Sequence, residues 1–577
     1  MRIIGLNHGE FNSSAALAVD GGIVAAAPEE RFIRQKKTKT FPKNALQFCL
    51  SQQQIKINSV DAIAQAWNPG AKWVSFNPLI SSNRVKREDY FYTVPDNLFN
   101  FIGRTEIPDY VIQKFERGLP PVYYVKHHLC HAANAFFLSP FNNAAVLTAD
   151  WTGEIESVSK GFCSGNSIKI FDTQWIPHSI GMFYATFTQI LGYRPDNDEW
   201  KVMAMSAENV DSGYLEDRIL NTISFLDDGR FKLDQKYYTG ALVDQPNLYS
   251  EGLLLLLETT TDKLQASNND YGWQCKVARA MQRVSEKIIW HMLDDLYEKT
   301  KAENLVLAGG FFMNSVVNGK ITKNTKFQNV YISHSPDDLG NSIGAALYVN
   351  HCILGQARSK HESVSNLGPK FCSKQIEEVI SRRKVMAKKL SNPEKTIAEI
   401  LAKGEVVALL QGKMEFGDRA LGFRSILADP RSPVMKDKIN GMIKYRESYR
   451  PFAPATLFEC AHHFFDVEKG YSCNYMEKVV QIKKKYQEKI PAVTHFDGSG
   501  RLQTVRKADN PYFHNIIQQF EKLAGIPVVL NTSFNINGEP IVLSPDDALN
   551  TFFNSGLEFL VMEDWLVTKR ENNSVKE

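Results

Sequence analysis

The chain has 577 residues, of which 43% are hydrophobic and 23% are charged, which is the composition of an ordinary globular protein with more than one domain. With 67 basic against 64 acidic residues, the charge is too balanced for a protein that grips nucleic acid through its overall field. Eight scattered cysteines without a CxxC pair argue against a disulfide framework or a zinc knuckle and predict reduced thiols in the cytoplasm.

The N-terminal segment predicts strands and turns. Residues 3–6, 15–19 and 23–27 read as three strands, the last two flanking the hairpin turn Asp20-Gly21-Gly22. The start reads as a strand rather than a signal peptide, and no apolar run is long enough to span a bilayer. A strand, a small polar loop and a hairpin are typical of the opening of actin-like ATPase domains. Residues 43–55 and 110–117 predict helices.

Two histidines and two aspartates form a candidate metal site. The strand predicted at 122–126 leads into a helix start at His127, and His131 lies four residues further on, so both imidazoles share one helix face. Asp150 follows the strand at 144–148, and Asp338 precedes a small-residue helix at 342–347. Turn capping is the alternative role for the aspartates. Two imidazoles and two carboxylates suit Fe(II), Mn(II) or Zn(II).

A second motif suits a nucleotide. The amphipathic helix predicted at 274–298 precedes a strand at 304–307, which ends in Gly309 and Gly310. A strand, a glycine pair and a helix form a turn that a nucleotide can approach closely, although a lone Gly-Gly is usually only a turn. Residues 355–395 then change to Ser, Lys and Glu clusters, which indicates a domain boundary.

The stretch from Gln411 to Pro454 predicts an anion pocket. Arginines and lysines are interleaved there with glycines and aromatic residues. Arginine forks bind phosphate or carboxylate oxygens bidentately, and glycines let the backbone approach a ligand. A solvated, ion-paired surface is the alternative, but it has no use for buried-type residues such as Phe416 and Phe423.

The same stretch resembles a known family. The letters GKMEFGDRALGFRS and KYRESYRPFAP are similar to motifs of the ATP-dependent O-carbamoyltransferases, which include tobramycin and nodulation-factor carbamoyltransferases. Lys413, Asp418 and Phe423 replace the Arg, Pro and Asn that are usual in the family. The HxxxH pair, the GGxxxN turn and THFDGSGRLQTV at 494–505 extend the resemblance over nearly the whole chain.

The resemblance implies an α/β protein with an actin-like (Kae1-like) domain at 1–355, a linker at 356–390 and a YrdC-like α/β domain at 391–577. It implies that carbamoyl phosphate and ATP form carbamoyl-adenylate in the C-terminal domain. The carbamoyl group then passes to a hydroxyl of a small natural-product acceptor at the metal of the N-terminal domain. ATP with Mg²⁺ is the expected co-substrate, and Fe(II) is the first expectation for the metal. No nucleic acid or membrane partner is expected, and a homodimer is left open.

The resemblance also assigns residues. The expected metal ligands are His127, His131, Asp150 and Asp338. The expected nucleotide-binding residues of the N-terminal domain are Lys36, Gly309, Gly310 and Asn314. The expected carbamoyl phosphate and ATP-binding residues of the C-terminal domain are Arg419, Arg424, Lys444, Arg450, Arg501 and Ser533.

The first loop departs from the family. Its usual catalytic histidine is missing, and Phe11 or Asn12 stands in that place. His8 or Glu10 could accept the hydroxyl proton instead, and His8 is our choice. Alternatively, the acceptor needs little help.

Two other functions are compatible with the same folds. One is a tRNA threonylcarbamoyl-type enzyme, which would need a basic RNA-binding surface. The other is a non-catalytic nucleotide-binding regulator, because fold alone does not decide function.

Overall fold

The computed structural model describes residues 1–9, 12–68, 109–115, 118–240, 247–265, 270–358, 364–447 and 449–569. The chain forms two compact units. The first unit comprises Met1–Glu29 and Lys37–Ser363, and the second comprises Glu30–Lys36 and Val364–Glu577. In the described residues, no helix is long and apolar enough to cross a membrane.

The first unit is built on two larger sheets and a small hairpin. The strands are β1 (Arg2–Asn7), β2 (Ser14–Val19), β3 (Gly22–Pro28), β4 (Ala62–Gln65), β5 (Tyr110–Gln113), β6 (Val122–Val125), β7 (Asn143–Ala149), β8 (Glu156–Ser164), β9 (Ser167–Trp175), β10 (Ile223–Phe225), β11 (Phe231–Leu233), β12 (Asn304–Ala308) and β13 (Asn329–Ile332). Their orders are β3-β2-β1-β4-β6-β5, β13-β12-β7-β8-β9 and β10-β11. The sheet expected at 3–6, 15–19 and 23–27 is thereby confirmed.

The helices of this unit follow the sheets. They are α1 (Glu29–Ile33, most of which belongs to the second unit), α2 (Lys43–Gln52), α3 (His127–Leu138), α4 (Ile180–Ile190), α5 (Glu199–Met205), α6 (Gly213–Leu220), α7 (Glu251–Leu256), α8 (Thr261–Gln265), α9 (Tyr271–Thr300), α10 (Ser315–Asn318), α11 (Ile321–Asn324) and α12 (Asn341–Tyr348). The helices expected at 43–55, after strand β6, at 274–298 and at 342–347 are confirmed. The helix expected at 110–117 is wrong at its start, because residues 110–113 are aromatic and β-branched and form strand β5, paired antiparallel with β6. Residues 116–117 lie outside the described residues.

A close contact between α3 and α12 positions the metal candidates. The two helices pack against each other, and α12 also packs on β1 and β2. A Cβ atom at Gly344 would lie only 1.9 Å from the carbonyl oxygen of Cys130, so only glycine allows this approach. The N-terminal turns that carry the histidines and Asp338 are thereby brought together.

The second unit contains one sheet of nine strands. Its strands are β14 (Ala387–Lys389), β15 (Val407–Leu410), β16 (Arg424–Ala428), β17 (Ala453–Leu457), β18 (Lys478–Gln481), β19 (Ser499–Val505), β20 (Val528–Ser533), β21 (Phe559–Met562) and β22 (Trp565–Thr568). The order is β14-β22-β21-β15-β16-β20-β17-β19-β18. The structure as a whole is therefore mixed α/β, as expected from the sequence.

The helices of the second unit show regular start signals. They are α13 (Ser373–Arg382), α14 (Pro393–Ala402), α15 (Val434–Ile439), α16 (Ala461–Phe464), α17 (Lys484–Gln487), α18 (Pro511–Ala524) and α19 (Pro545–Phe553). Asn392, Asn510 and Ser544 each cap a helix that has proline at its first position, which satisfies free backbone donors and presets the helical φ angle.

Most of the segment expected to be a linker, residues 364–390, belongs to this unit, whereas its start belongs to the first unit. Helix α13 packs Ile376 and Ile380 into the same core as the nine-stranded sheet, and β14 pairs with β22. The i,i+4 spacing of these isoleucines is a helix signal that the surrounding charged residues obscured. The contact boundary lies between Ser363 and Val364.

Candidate functional site

The first unit brings four metal-ligand atoms together. One ligand atom from each of His127, His131, Asp150 and Asp338 lies within 4.8 Å of the others. The Nε2 atoms of the two histidines are 3.0 Å apart. Asp150 Oδ2 is 2.9 Å from His131 Nε2, and Asp338 Oδ1 is 3.3 Å from His127 Nε2. Both imidazoles are fully buried.

These distances fit a bound cation. Ligand atoms at about 2.1 Å from one ion lie about 3.0–3.4 Å from each other in octahedral or tetrahedral geometry. Moreover, the buried Asp338 Oδ1 atom has no hydrogen-bond partner among the described residues, which is costly unless a cation compensates it. The four side chains therefore fit a divalent metal.

The electrostatics of the ion-free cluster agree with this interpretation. Burial alone would lower the pKa of His127, but its contacts with Asp150 and Asp338 outweigh burial and raise the pKa to about 10. Burial and the neighbouring Asp150 would raise the pKa of Asp338, but the two imidazoles outweigh both and lower it. Positive charge is thus favoured at the centre of the four side chains.

Neighbouring residues hold the ligands in place. Glu154 accepts hydrogen bonds from the backbone N–H groups of Asn68 (2.7 Å) and His127 (3.1 Å), so a buried carboxylate caps the start of α3. Burial, followed by the neighbouring Glu156, raises the pKa of Glu154. The sequence reasoning missed Glu154 as a residue that orients the ligand helix, although its position four residues after Asp150 was visible.

The glycine pair lies next to the metal candidates. The backbone N–H of Gly310 donates to Asp150 Oδ2 at 3.0 Å. Gly309 has a φ angle of +100°, and a Cβ atom there would lie 2.1 Å from the carbonyl oxygen of Ala149. Asn314 instead caps α10 and exchanges hydrogen bonds with Gln282. The glycines therefore border the cluster, whereas the amide of Asn314 is engaged within the fold.

The first loop starts beside the same cluster. Asn7 Nδ2 donates to the backbone oxygen of Asp338 at 2.9 Å. The ring of His8 packs edge-on against Phe41, with 5.3 Å between centroids. Glu10, the alternative base, lies outside the described residues.

The second unit contains a group of like charges, here called the basic cluster: Lys36, Arg419, Lys444, Arg446, Arg450 and Arg501. After burial, the neighbouring positive charges of Arg419, Arg446 and Arg450 hold the pKa of Arg501 well below its usual range. Burial, then Arg446, Arg450 and Lys36, lowers the pKa of Lys444. These cations are therefore close enough to destabilise one another.

The contacts of the cluster include one carboxylate and several neutral oxygens. Arg450 Nη1 is 3.3 Å from Glu447 Oε2. The Nζ atom of the buried Lys444 donates to Ser533 and Asn535, the latter through Oδ1 at 2.8 Å. The Nε atom of Arg501 has no partner among the described residues. Neighbouring cations that lower one another's pKa values are suited to bind an anion.

Two elements differ from the expected assignment. Lys36 was expected in the nucleotide site of the N-terminal domain, but residues 30–36 belong to the second unit, and Lys36 lies near Lys444. Arg424 was expected to bind the ligand, but it is fully buried and donates to backbone oxygens, including those of Gln411 (2.9 Å) and Leu543 (3.2 Å). Its guanidinium group stabilises the fold instead.

The polar face of the sheet supports the glycine-rich loop at 411–423. Gln503 Nε2 donates to the backbone oxygen of Leu421 at 3.2 Å, and Asn531 Nδ2 donates to that of Ala420 at 3.0 Å. The buried Arg31 also holds this loop through the backbone oxygens of Glu415 and Gly417. The sequence reasoning missed Arg31, because nothing local to residues 29–32 indicates a partner almost 400 positions away.

Comparisons with known proteins agree with both units. Residues 2–347 match the family model "Carbamoyltransferase N-terminus", and residues 398–569 match "Carbamoyltransferase C-terminus". The uncharacterized protein sll1178 of Synechocystis sp. is 33% identical over 98% of this chain and 96% of its own length. Nodulation protein NolNO of Sinorhizobium fredii is 31% identical over 97% of this chain and 79% of its own length.

Among solved structures, full-length HypF in its phosphate- and nucleotide-bound form covers 62% of this chain and 47% of its own. The TM-score of 0.31 at 15% identity is too low to carry a conclusion. The chain belongs to the carbamoyltransferase family, and the family matches support a carbamoyltransferase enzyme.

Proposed function

We propose that the protein uses ATP and carbamoyl phosphate to carbamoylate a hydroxyl group of a small natural-product acceptor. The observation that carries this proposal is the basic cluster of the second unit, where neighbouring cations lower the pKa values of the buried Lys444 and the half-buried Arg501. Such a site is stabilised by a small polyanion. Carbamoyl phosphate and the triphosphate of ATP, with Mg²⁺, have this chemistry.

In the first step, the second unit would form carbamoyl-adenylate. Water releases phosphate from carbamoyl phosphate, and an oxygen of the resulting carbamate attacks the α-phosphorus of ATP while pyrophosphate leaves. Arg501, Arg450 and Lys444 would neutralise charge that develops on the transferring phosphate groups. Ser533, bonded to Lys444, would orient the lysine and offer its hydroxyl to the same anion. We propose a supporting role for Arg424, which holds the loop that carries Arg419.

In the second step, the acceptor oxygen would attack the carbamoyl carbon, and the bond from this carbon to the AMP oxygen would break. His8, on the loop that contacts Asp338, is our candidate for accepting the hydroxyl proton. Gly309 and Gly310 would allow the adenylate to approach the cluster of His127, His131, Asp150 and Asp338. A divalent ion held there, with Fe(II) as the first expectation, would supply Lewis acidity toward the carbamoyl or phosphate oxygen.

The first test omits the acceptor. The purified, metal-loaded protein is given ATP, Mg²⁺ and carbamoyl phosphate, and AMP and pyrophosphate are measured. We expect both products from the wild type and from His127→Ala, but not from Arg501→Ala. Arg424→Ala should also lose activity, but with a lower unfolding midpoint, because its role is structural. Absence of nucleotide turnover in the folded wild type would contradict the proposed first step.

A further inference from the structure

Asn341 faces the four metal candidates from the first position of α12. Its side chain is fully buried. Its Nδ2 atom is 3.2 Å from His131 Nε2 and 3.4 Å from His127 Nδ1. Asn341 lies three residues after Asp338, a spacing that places two side chains on one side of a helical turn. The amide therefore borders the same centre as the aspartate.

The orientation of this amide depends on whether a cation is bound. Without an ion, the NH₂ group lies at hydrogen-bond distance from the Nε2 atom of His131. Once Nε2 coordinates an ion, the partly positive NH₂ group would face that ion, which is unfavourable. The other end of the amide, Oδ1, is buried and has no hydrogen-bond partner among the described residues. Rotation by about 180° exchanges the two ends at almost no steric cost.

We propose that Asn341 turns its carbonyl oxygen toward the cluster and serves as a fifth metal donor. This inference rests on the metal site proposed above. After rotation, Oδ1 takes the place of Nδ2, about 3.2 Å from His131 Nε2, which is the spacing of two donors on one ion. Two imidazoles and three oxygens favour a five- or six-coordinate ion such as Fe(II) or Mn(II) over a closed tetrahedral zinc site.

The test uses the full-length, metal-free protein, titrated with Mn(II) for affinity and with Co(II) for its visible absorption. Asn341→Leu removes the amide at similar volume. Asn341→Asp keeps an oxygen and adds a negative charge. Asn350→Leu is the matched control, because it makes the same change nine residues further along the helical run. His127→Ala reports loss of the cluster itself.

We expect Asn341→Leu to weaken Mn(II) binding by about 10- to 100-fold and to increase the Co(II) absorption, as four-coordinate cobalt absorbs more strongly. Asn341→Asp should bind Mn(II) at least as tightly as the wild type, and Asn350→Leu should match the wild type. Unchanged affinity and spectrum in Asn341→Leu would overturn the inference while leaving the four-ligand site intact. If Asn341→Leu does not fold, weaker binding by Asn341→Asp overturns it.

The wild type separates this inference from the proposed function. If it binds neither ion at the cluster, so that it matches His127→Ala, the proposed metal site itself fails. If the wild type binds both Mn(II) and Co(II), and the Asn341 variants keep the same affinity and the same spectrum, the metal site stands and the fifth donor is rejected.

Discussion

Replacing Arg31 with methionine tests whether residues 30–36 are a structural part of the second unit. Arg31 is only 1% exposed. Its Nη1 atom donates to the backbone oxygen of Glu415 at 2.6 Å, and Nη2 donates to that of Gly417. Methionine keeps an unbranched apolar stem but removes both hydrogen bonds. Two buried carbonyl oxygens of the glycine-rich loop then lose these donors.

The magnitude follows from these bonds. A hydrogen bond to a charged group contributes about 1.5–3 kcal/mol, so the two bonds together contribute about 3–6 kcal/mol. Burial lowers the pKa of Arg31, the neighbouring Glu415 opposing this, so removing the charge also removes a desolvation cost. We therefore expect Arg31→Met to reduce the free energy of unfolding by about 2–4 kcal/mol.

The assay is urea unfolding of the full-length protein, together with acceptor-free pyrophosphate release. The matched control is Arg382→Met, which removes a 64% exposed side chain paired with Asp546 in the same unit. A surface pair of this kind contributes at most about 1 kcal/mol. If Arg31→Met unfolds at the same urea concentration as Arg382→Met and keeps full pyrophosphate release, the role assigned to Arg31 is wrong.

Three further changes test separate parts of the structure. Lys444→Met should abolish acceptor-free AMP formation with a smaller loss of stability than Arg31→Met, because removing a buried cation that its neighbours destabilise offsets the loss of its hydrogen bonds to Ser533 and Asn535. Lys438→Met, 36% exposed and 3.3 Å from Glu405, should keep activity. A larger loss of stability in Lys444→Met than in Arg31→Met would contradict this. Gly309→Ala should abolish metal binding, because the added Cβ would overlap the carbonyl oxygen of Ala149. Gly525→Ala is the control: its φ angle is also positive (+75°) but the space around it is open, so it should lower the free energy of unfolding by only about 1 kcal/mol. Burial lowers the pKa of His495 from 6.5 to about 4, so the unfolded chain takes up a proton first as pH falls. Stability should drop by up to roughly 3 kcal/mol between pH 6.5 and 4, and His495→Phe should reduce that drop; an unchanged pH profile of urea unfolding would refute it.

The local patterns of the first unit were readable from the sequence. Strand β7 carries a strong apolar signal, and the four-residue spacing of His127 and His131 requires only one helix to bring them together. The addition of Asp338 is different, because it depends on the close packing of α3 on α12. The sequence contains Gly344 but does not show which carbonyl it approaches. The four-residue set was therefore assembled with the help of the family resemblance.

The sequence could not show that residues 30–36, from the N-terminal half of the chain, belong to the second unit. Residues 30–36 carry charges typical of a solvated loop, and only tertiary structure shows that Arg31 is buried among loop carbonyls of the second unit. Lys36 was expected in the first unit, and again only the tertiary structure shows that it belongs to the second. Residues 110–113 illustrate the opposite error, because a short aromatic and β-branched segment is compatible with either helix or strand until its partner strand is known.

The basic stretch shows most clearly that a sequence motif does not determine the surroundings of each side chain. Arg424 and Arg501 offer the same fork of donors, and the family resemblance assigns both to the anion. Arg424 begins β16 where the sheet meets the loop, and each of its three side-chain nitrogens donates to a backbone oxygen. Arg501 lies on β19 two residues before Gln503, on the face that supports the loop, and its neighbours are other cations. The letters do not show which surroundings each guanidinium group has, backbone carbonyls for Arg424 and neighbouring cations for Arg501. For this reason, loss of activity alone cannot distinguish the roles of Arg424 and Arg501, and the unfolding midpoint of each variant must be measured as well.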